Sequence, residues 1–265
     1  NGRVFAPFSG SEDPLTHDPA HECCTSRGGV AALDLATGKL LWKQYHIVEE
    51  PTLRTGANEM PRRFGPAGAS TYTPLAIDAK RGVLYASTAE EYGLLDPRGP
   101  YSVIAYDLES GARKWQRQFL PDASARELAC AAAAPTDCRN LFSTGTSVTI
   151  VTLAGGKQVL TVGQKWGFVY GLDPDSNGEE LWRTRVALGG DLGGVMYGMA
   201  TDGSALYVPV SDDEASPPHR PGGLAALDPA SGAVLWRVAG PDPQCSWGAQ
   251  GCNAAFVAAP TAVPG

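Results

Sequence analysis

The residues of this sequence with the widest chemical reach are its cysteines. Residues 22–29 read ECCTSRGG, and the adjacent Cys23 and Cys24 can be bonded to each other, bonded elsewhere or free. Six cysteines fall into three local pairs, Cys23 with Cys24, Cys130 with Cys138 and Cys245 with Cys252. An even number in close pairs reads as disulfides formed in an oxidising compartment, hence a periplasmic or secreted chain. Metal ligation is the competing chemistry. No C-x-x-C or C-x-x-C-H occurs, and His17, His21, His46 and His219 are the only histidines, so neither a zinc site nor covalent haem finds its spacing. The sequence holds no Gly-x-Ser-x-Gly elbow, Walker loop or His-Glu-x-x-His. Glycoside hydrolysis asks only for two carboxylates, a requirement that spacing does not test.

Composition narrows the partners. The 265 residues carry a formal charge of −7, with only 18% charged residues, 32 glycines, 21 prolines and 43% apolar residues. This describes a folded, turn-rich chain and not a disordered one. Lysines and arginines are dispersed along the chain, never more than two together, and give no basic footprint for nucleic acid. No run of about 20 apolar residues is present to span a bilayer. The sequence opens at Asn1 without an initiator Met or signal peptide and reads as a piece of a longer chain.

The elements that position any site come from a repeat. ALDLATGKLLW at 32–42, AYDLESGARKW at 105–115, GLDPDSNGEELW at 171–182 and ALDPASGAVLW at 226–236 share the order Ala/Gly-x-Asp-x-x-Thr/Ser-Gly-x-x-x-Trp, with one inserted residue in the third. Each copy reads as a hairpin: a strand ends at Asp, whose side chain closes an Asx-type turn, Gly supplies a positive φ, and a second strand ends on Trp. Further strands are expected upstream at 3–8, 82–88, 158–164 and 205–211, and before three of these at 72–78, 147–153 and 195–201. Four short antiparallel strands per unit with an aromatic at a fixed place is the pattern of a β-propeller. The tryptophans read as packing residues between blades. The turn aspartates lie farther apart than the ~40–45 residues of an ordinary blade repeat, so insertions sit between blades. The first unit lacks its opening strand, and 256–265 reads as the opening strand of a fifth. The expected fold is all-β, one partial propeller domain over 1–265 with about four to five blades. A helix is expected at 122–134, with Asp122 as N-cap and Pro135 as stop, tied to its return loop by Cys130 and Cys138.

The repeat resembles that of pyrroloquinoline quinone (PQQ) dehydrogenases. GPAGASTYTPLAIDAKRGVLYAST from Gly65, GGKQVLTVGQKWGFVYGLDPD from Gly155, LGGVMYGMATDGSALYVPVSD from Leu192 and GCNAAFVAAPTAVPG from Gly251 look like the polyvinyl alcohol dehydrogenase branch of that family. The resemblance implies an eight-bladed propeller with PQQ and usually Ca2+ on its axis, of which this chain is about half. It also implies oxidation of small or polymeric alcohols to carbonyls, with electrons leaving to a cytochrome c, because no haem motif is present.

The resemblance also implies site residues. Cys23 and Cys24 match a vicinal disulfide that lies against one face of the quinone. Arg27 would offer its guanidinium to a cofactor carboxylate or quinone oxygen. Gly68 and Ala69, in GPAGAS at 65–70, would touch the quinone edge. Lys165, in GQKWG, would polarise a quinone carbonyl, and Tyr197, in GGVMYG, would stand near the cofactor. Two departures matter. Ser70 stands where the family has a calcium-ligating Glu, leaving Glu90 or Glu91 in STAEEY as substitute metal ligands or as the catalytic base. Ser143, in NLFSTGTS at 140–147, stands where the family has its catalytic Asp, and a serine without an adjacent histidine does not deprotonate an alcohol near neutral pH. The alternative is a non-catalytic propeller that serves as a binding or scaffold module. Open edge blades would favour self-association.

Overall fold

A computed structural model describes residues 2–12, 15, 16, 18, 20–55, 60–92, 98–120, 142–190, 193–212, 222–241 and 255–263. The helix expected at 122–134 and the pairs Cys130–Cys138 and Cys245–Cys252 lie outside these residues. Among the described residues there is no α-helix and there are seventeen strands. The chain divides into two compact units, Asn1–Pro121 and Asp122–Gly265.

In the first unit, β1 (Arg3–Phe8), β2 (Gly29–Asp34) and β3 (Leu40–Tyr45) form a three-stranded antiparallel sheet. A two-stranded ribbon, β4 (Thr52–Leu53) and β5 (Phe64–Gly65), follows. Then β6 (Ala76–Asp78), β7 (Val83–Ser87), β8 (Ser102–Asp107) and β9 (Arg113–Gln118) form a four-stranded sheet in sequence order. The second unit contains two more such sheets. The first is β10 (Thr149–Thr152), β11 (Gln158–Gly163), β12 (Phe168–Asp173) and β13 (Glu179–Arg185). The second is β14 (Ala200–Thr201), β15 (Leu206–Val210), β16 (Gly223–Leu227) and β17 (Val234–Ala239). Consecutive antiparallel strands in sequence order are the topology of propeller blades, and the first sheet is missing its opening strand as the repeat predicts.

The hairpins form where the repeat places them, for the local reason it gives. Asp34 Oδ1 accepts from the Thr37 amide at 2.8 Å and the Thr37 hydroxyl at 2.6 Å, and Asp107 Oδ1 accepts from the Ser110 amide and hydroxyl at 2.9 and 2.8 Å. These bonds to Ser110 favour the charged carboxylate and bring Asp107 down to about 2. A register shift recurs at one place in every repeat: Ala32/Leu33, Ala105/Tyr106, Gly171/Leu172 and Ala226/Leu227. One bulge per hairpin adds local twist to each blade.

Trp42 and Trp182 pack onto the turn of the following repeat. In the first unit the ring of Trp42 covers Gly111, where a Cβ would stand 2.6 Å from a ring carbon. In the second unit Trp182 covers Gly232 and donates from Nε1 to the Pro229 carbonyl at 3.1 Å. Trp236 carries no such neighbour among the described residues and stays 42% exposed. Each unit has its own core: Val30, Leu84, Ala86, Ile104 and Tyr106 in the first, and Val151, Val169, Leu206, Val208 and Leu227 among others in the second.

Three expected strands come out shorter or absent. In 72–78 only Ala76–Asp78 is strand, because Pro74 has no amide to give a ladder. In 195–201 only Ala200–Thr201 is strand, because Tyr197 has φ 64° and turns the backbone out of the extended region. The described residues at 255–263 form no strand, and the Phe256 amide there donates to the Val210 carbonyl at 3.1 Å.

Candidate functional site

In the first unit three loops meet behind the strand ends. Cys23 and Cys24 sit against the entry to β5. The Cys23 amide donates to Arg62 O at 3.2 Å, the Cys24 amide to Phe64 O at 3.3 Å, and the Phe64 amide returns to Cys23 O at 2.6 Å. The two sulfur atoms face each other at bonding proximity across a cis peptide. Loop 65–70 is laced to both neighbours: the Gly68 amide donates to Ser26 O at 2.9 Å, the Gly28 amide to Gly68 O at 2.8 Å, the Ala69 amide to Glu90 O at 2.7 Å and the Tyr92 amide to Ala67 O at 3.0 Å. Cys23, Cys24, Ala67 and Tyr92 form one buried cluster.

Small residues are required here by geometry. A Cβ on Gly68 would stand 2.6 Å from the Glu90 carbonyl oxygen, and Gly68 has φ 99°. Ala69 holds φ 54° and Tyr101 φ 56°. Non-glycine residues in the left-handed region cost about 1–3 kcal/mol each and cluster at functional loops.

The sequence-predicted residues of this unit are therefore brought together, with differing freedom. Glu90 is buried and Glu91 half-buried beside Gly68 and Ala69. The Arg27 guanidinium is committed to the chain: Nη1 donates to the carbonyls of Ile47, Val48 and Glu49, Nη2 pairs with Glu50 at 3.0 Å, and the group lies 4.2 Å over the Tyr45 ring. Ser70 Oγ is held at 2.7 Å from Tyr92 OH and accepts from the Gly10 amide at 3.0 Å. The sulfur pair and the small residues fit a flat, largely apolar ring face. Ca2+ takes six to eight oxygens, whereas this loop set offers the two carboxylates of Glu90 and Glu91 and a Ser70 hydroxyl already engaged, so the donors do not by themselves complete a hard-cation shell.

Two features of this unit were not read from sequence. Glu12 lies beside the cysteine pair, and its Oε2 accepts from the amides of Thr25 and Ser26 at 2.7 and 2.5 Å. Burial works against the Glu12 charge, but the hydrogen bonds from Ser26 and Thr25 outweigh it and hold the carboxyl below its usual range. The second is a buried polar relay under Ser70. Thr71 Oγ1 donates to Ser87 O at 2.7 Å, so it must accept from His46 Nε2 at 2.9 Å, and His46 Nδ1 then accepts from Tyr106 OH at 2.8 Å. His46 is thereby fixed as the neutral Nε2–H tautomer. Burial and the Arg113 charge push it down to about 3, and burial lifts Tyr106 to about 12. Partners 16 to 60 residues apart leave the relay no spacing signal.

In the second unit loop 142–147 pairs with the end of β11 and with the segment before β14. The Lys165 amide donates to Ser143 O at 3.0 Å, the Gly145 amide to Gly163 O at 2.9 Å and the Tyr197 amide to Gly145 O at 2.6 Å. Lys165, Ser143 and Tyr197 are thus collected in one loop cluster. Ser143 is fully buried, Lys165 is 7% exposed and Tyr197 is 46% exposed. Gln164 anchors the turn, donating to Phe142 O at 2.6 Å and accepting from Tyr170 OH at 3.0 Å. Trp166 packs in an aromatic row, edge-on to Phe142 at 5.1 Å and tilted to Phe168 at 5.4 Å. Asp212, at φ 48°, accepts from the amides of Leu188 and Gly189 at 2.9 and 3.1 Å and pins the glycine-rich loop against Lys165.

Comparison with known proteins supplies a context for these loops. A family described as glucose/ethanol/alcohol dehydrogenase, beta-propeller domain, matches residues 16–185, and one described as outer membrane protein assembly factor BamB matches 165–248. The chain is 36% identical over 266 residues to a polyvinylalcohol dehydrogenase from Pseudomonas sp and 34% identical over 277 residues to one from Sphingopyxis sp. (strain 113P3). The whole chain aligns, yet it spans only 41% and 42% of the length of those relatives. Among solved structures, the quinohemoprotein alcohol dehydrogenase from Comamonas testosteroni superposes with a TM-score of 0.58 at 16% identity, covering 90% of this chain and 45% of that one. At that identity the likeness speaks for the fold.

Proposed function

The chain belongs to the PQQ family of glucose/ethanol/alcohol dehydrogenase propeller domains, and from that premise we propose that it forms part of an enzyme that oxidises secondary or polymeric alcohols to carbonyls. The observation that carries this reading is the lacing of the cysteine loop, the 65–70 loop and the 89–92 loop into one small-residue cradle in the first unit. In the proposal residues 1–265 are one partial propeller domain of a periplasmic or secreted protein, and electrons pass to a cytochrome.

When bound, PQQ supplies an ortho-quinone that accepts the two electrons of the alcohol. Cys23 and Cys24, read as a vicinal disulfide, would present an apolar sulfur face to the ring, and Gly68 and Ala69, with no more than one methyl between them, would border its edge. The four bonds between loops hold that wall rigid and exclude water from it. Glu90 or Glu91 takes the hydroxyl proton of the substrate on a carboxylate oxygen. The resemblance gives Lys165 and Tyr197 cofactor roles as well, and the second unit gathers the two with Ser143 in a loop cluster of its own. Arg27 acts mainly as a brace for 47–50, its remaining N–H groups being those left for a cofactor carboxylate. Calcium, if taken up, needs oxygens beyond Glu90 and Glu91.

A second reading is favoured by two observations: the Ser70 hydroxyl is spent on Tyr92 and Gly10, and Ser143 is fully buried. In that reading the propeller keeps the cradle and serves as a binding or scaffold module. The two are separated by adding PQQ with and without Ca2+ to the chain, following quinone absorbance, and measuring dye-linked oxidation of a secondary alcohol and of polyvinyl alcohol oligomers. Binding with turnover supports the enzyme, binding without turnover the module, and absence of binding overturns both uses of the cradle.

A further inference from the structure

We propose that the cysteine pair, once in the dithiol state, is half of a site for a thiophilic divalent cation of the zinc class, completed by Glu12 and His21. This goes beyond the quinone cradle, in which the pair is oxidised and presents only its apolar face.

The argument starts from the donor atoms. A carboxylate oxygen of Glu12 and the Sγ atoms of Cys23 and Cys24 all lie within 4.8 Å of one another, the one such group of three among the described residues. His21 Nε2 stands 3.7 Å from Glu12 Oε1 and is buried without a hydrogen-bond partner. The backbone already divides the labour of Glu12. Its Oε2 is held by the amides of Thr25 and Ser26, which leaves Oε1 on the side of His21. Two thiolates, one imidazole and one carboxylate are the ligand types of tetrahedral zinc, whose bond lengths set donors about 3.3–3.8 Å apart; the two sulfurs, once reduced, move apart to that spacing, and His21, which lies against Glu12 and outside the group of three, turns in to complete the set. A hard cation would decline two sulfurs. The tie from Cys23 and Cys24 to Arg62 and Phe64 runs through backbone amides, so it survives a change of state at sulfur.

The chemistry balances without any group supplied by the protein. A water-soluble phosphine reduces the sulfur pair by two electrons and is itself oxidised to the phosphine oxide, with water giving the oxygen and the two thiol protons. The cation then displaces both protons as the thiolates bind.

The test uses the whole chain, reduced with a phosphine under nitrogen and desalted. Zn2+ is added before alkylation with iodoacetamide, and labelling is read by mass spectrometry on the peptide that carries Cys23 and Cys24, which separates this pair from the other four cysteines. Stoichiometric Zn2+ is expected to protect both thiols, and His21→Ala and Glu12→Gln are each expected to raise the Zn2+ needed for protection by roughly tenfold or more. Cd2+ should give a sulfur-to-metal charge-transfer band larger by one equivalent than in the Cys23→Ser/Cys24→Ser chain. Full alkylation in the presence of Zn2+ overturns the site. Protection unchanged in both His21→Ala and Glu12→Gln reduces it to a bare thiol pair and overturns the four-donor proposal. His21 is partly exposed, so its variant keeps the test open if Glu12→Gln fails to fold.

Discussion

The main-chain amide of Lys165 donates to the carbonyl of Ser143 at 3.0 Å, so the fully buried serine holds the lysine through its backbone. A residue joined in this way positions its neighbour whatever its side chain is.

Ser143→Ala is therefore expected to leave turnover within about tenfold of the parent, while Lys165→Ala lowers kcat by about 10²–10³-fold, the loss typical of one group that stabilises developing negative charge. Both are measured as dye-linked alcohol oxidation with added PQQ. Equal losses in the two variants would return the catalytic role to the serine.

The turn glycines separate strain from crowding. Gly38→Ala meets open space at φ 69° and is expected to cost about 1–2 kcal/mol. Gly111→Ala, at φ 73°, adds a methyl 2.6 Å from the Trp42 ring, and overpacking brings the cost to about 2–5 kcal/mol. Urea unfolding midpoints of the two variants check the difference.

The same comparison can be made from the aromatic side. Trp182→Ala, which removes a buried ring and its bond to Pro229 O, is expected to cost about 3–5 kcal/mol. Trp236→Ala, at the same place in its repeat but 42% exposed, should stay within about 1 kcal/mol. Calorimetry on both variants reads this out.

The His46 relay makes a prediction about pH. Because the folded-state value is about 3 and the ordinary one 6.5, the unfolded chain binds the extra proton first. The stability held by neutral His46 is thus complete above about pH 6.5 and is lost on acidification toward pH 3, by up to about 1.4 kcal/mol per pH unit. On the alkaline side Tyr106, lifted to about 12, contributes stability that is lost as pH rises from its ordinary value of 10 through 12. His46→Gln should flatten the acid limb relative to the parent; parallel limbs would show that other groups set it.

Much of this was legible in the chain because its determinants are local. Asp34 and Thr37, or Asp107 and Ser110, close their turns within three residues, so the hairpins and the bulge before each are written in single motifs. Strand length was less legible. Pro74 and the left-handed Tyr197 cut their strands short, and only the second of these needs the fold to be seen. The lacing of Gly68 and Ala69 to Ser26 and Glu90 follows from neighbouring strand ends, and resemblance pointed to it. The relay from Ser87 through Thr71 and His46 to Tyr106 had no such herald, because each partner is ordinary by itself and the four converge only when three strands pack. Glu12 and His21 went unread for a related reason, since a disulfide reading of Cys23 and Cys24 removes them from any search for ligands.

Trp42 rests on Gly111, and Trp182 on Gly232, so the smallest interchangeable segment of this chain does not coincide with a blade. It runs from the tryptophan of one hairpin to the glycine of the next. Shuffling, duplication or loss of repeats would conserve that span, and a change at one end of it is expected to call for a compensating change at the other.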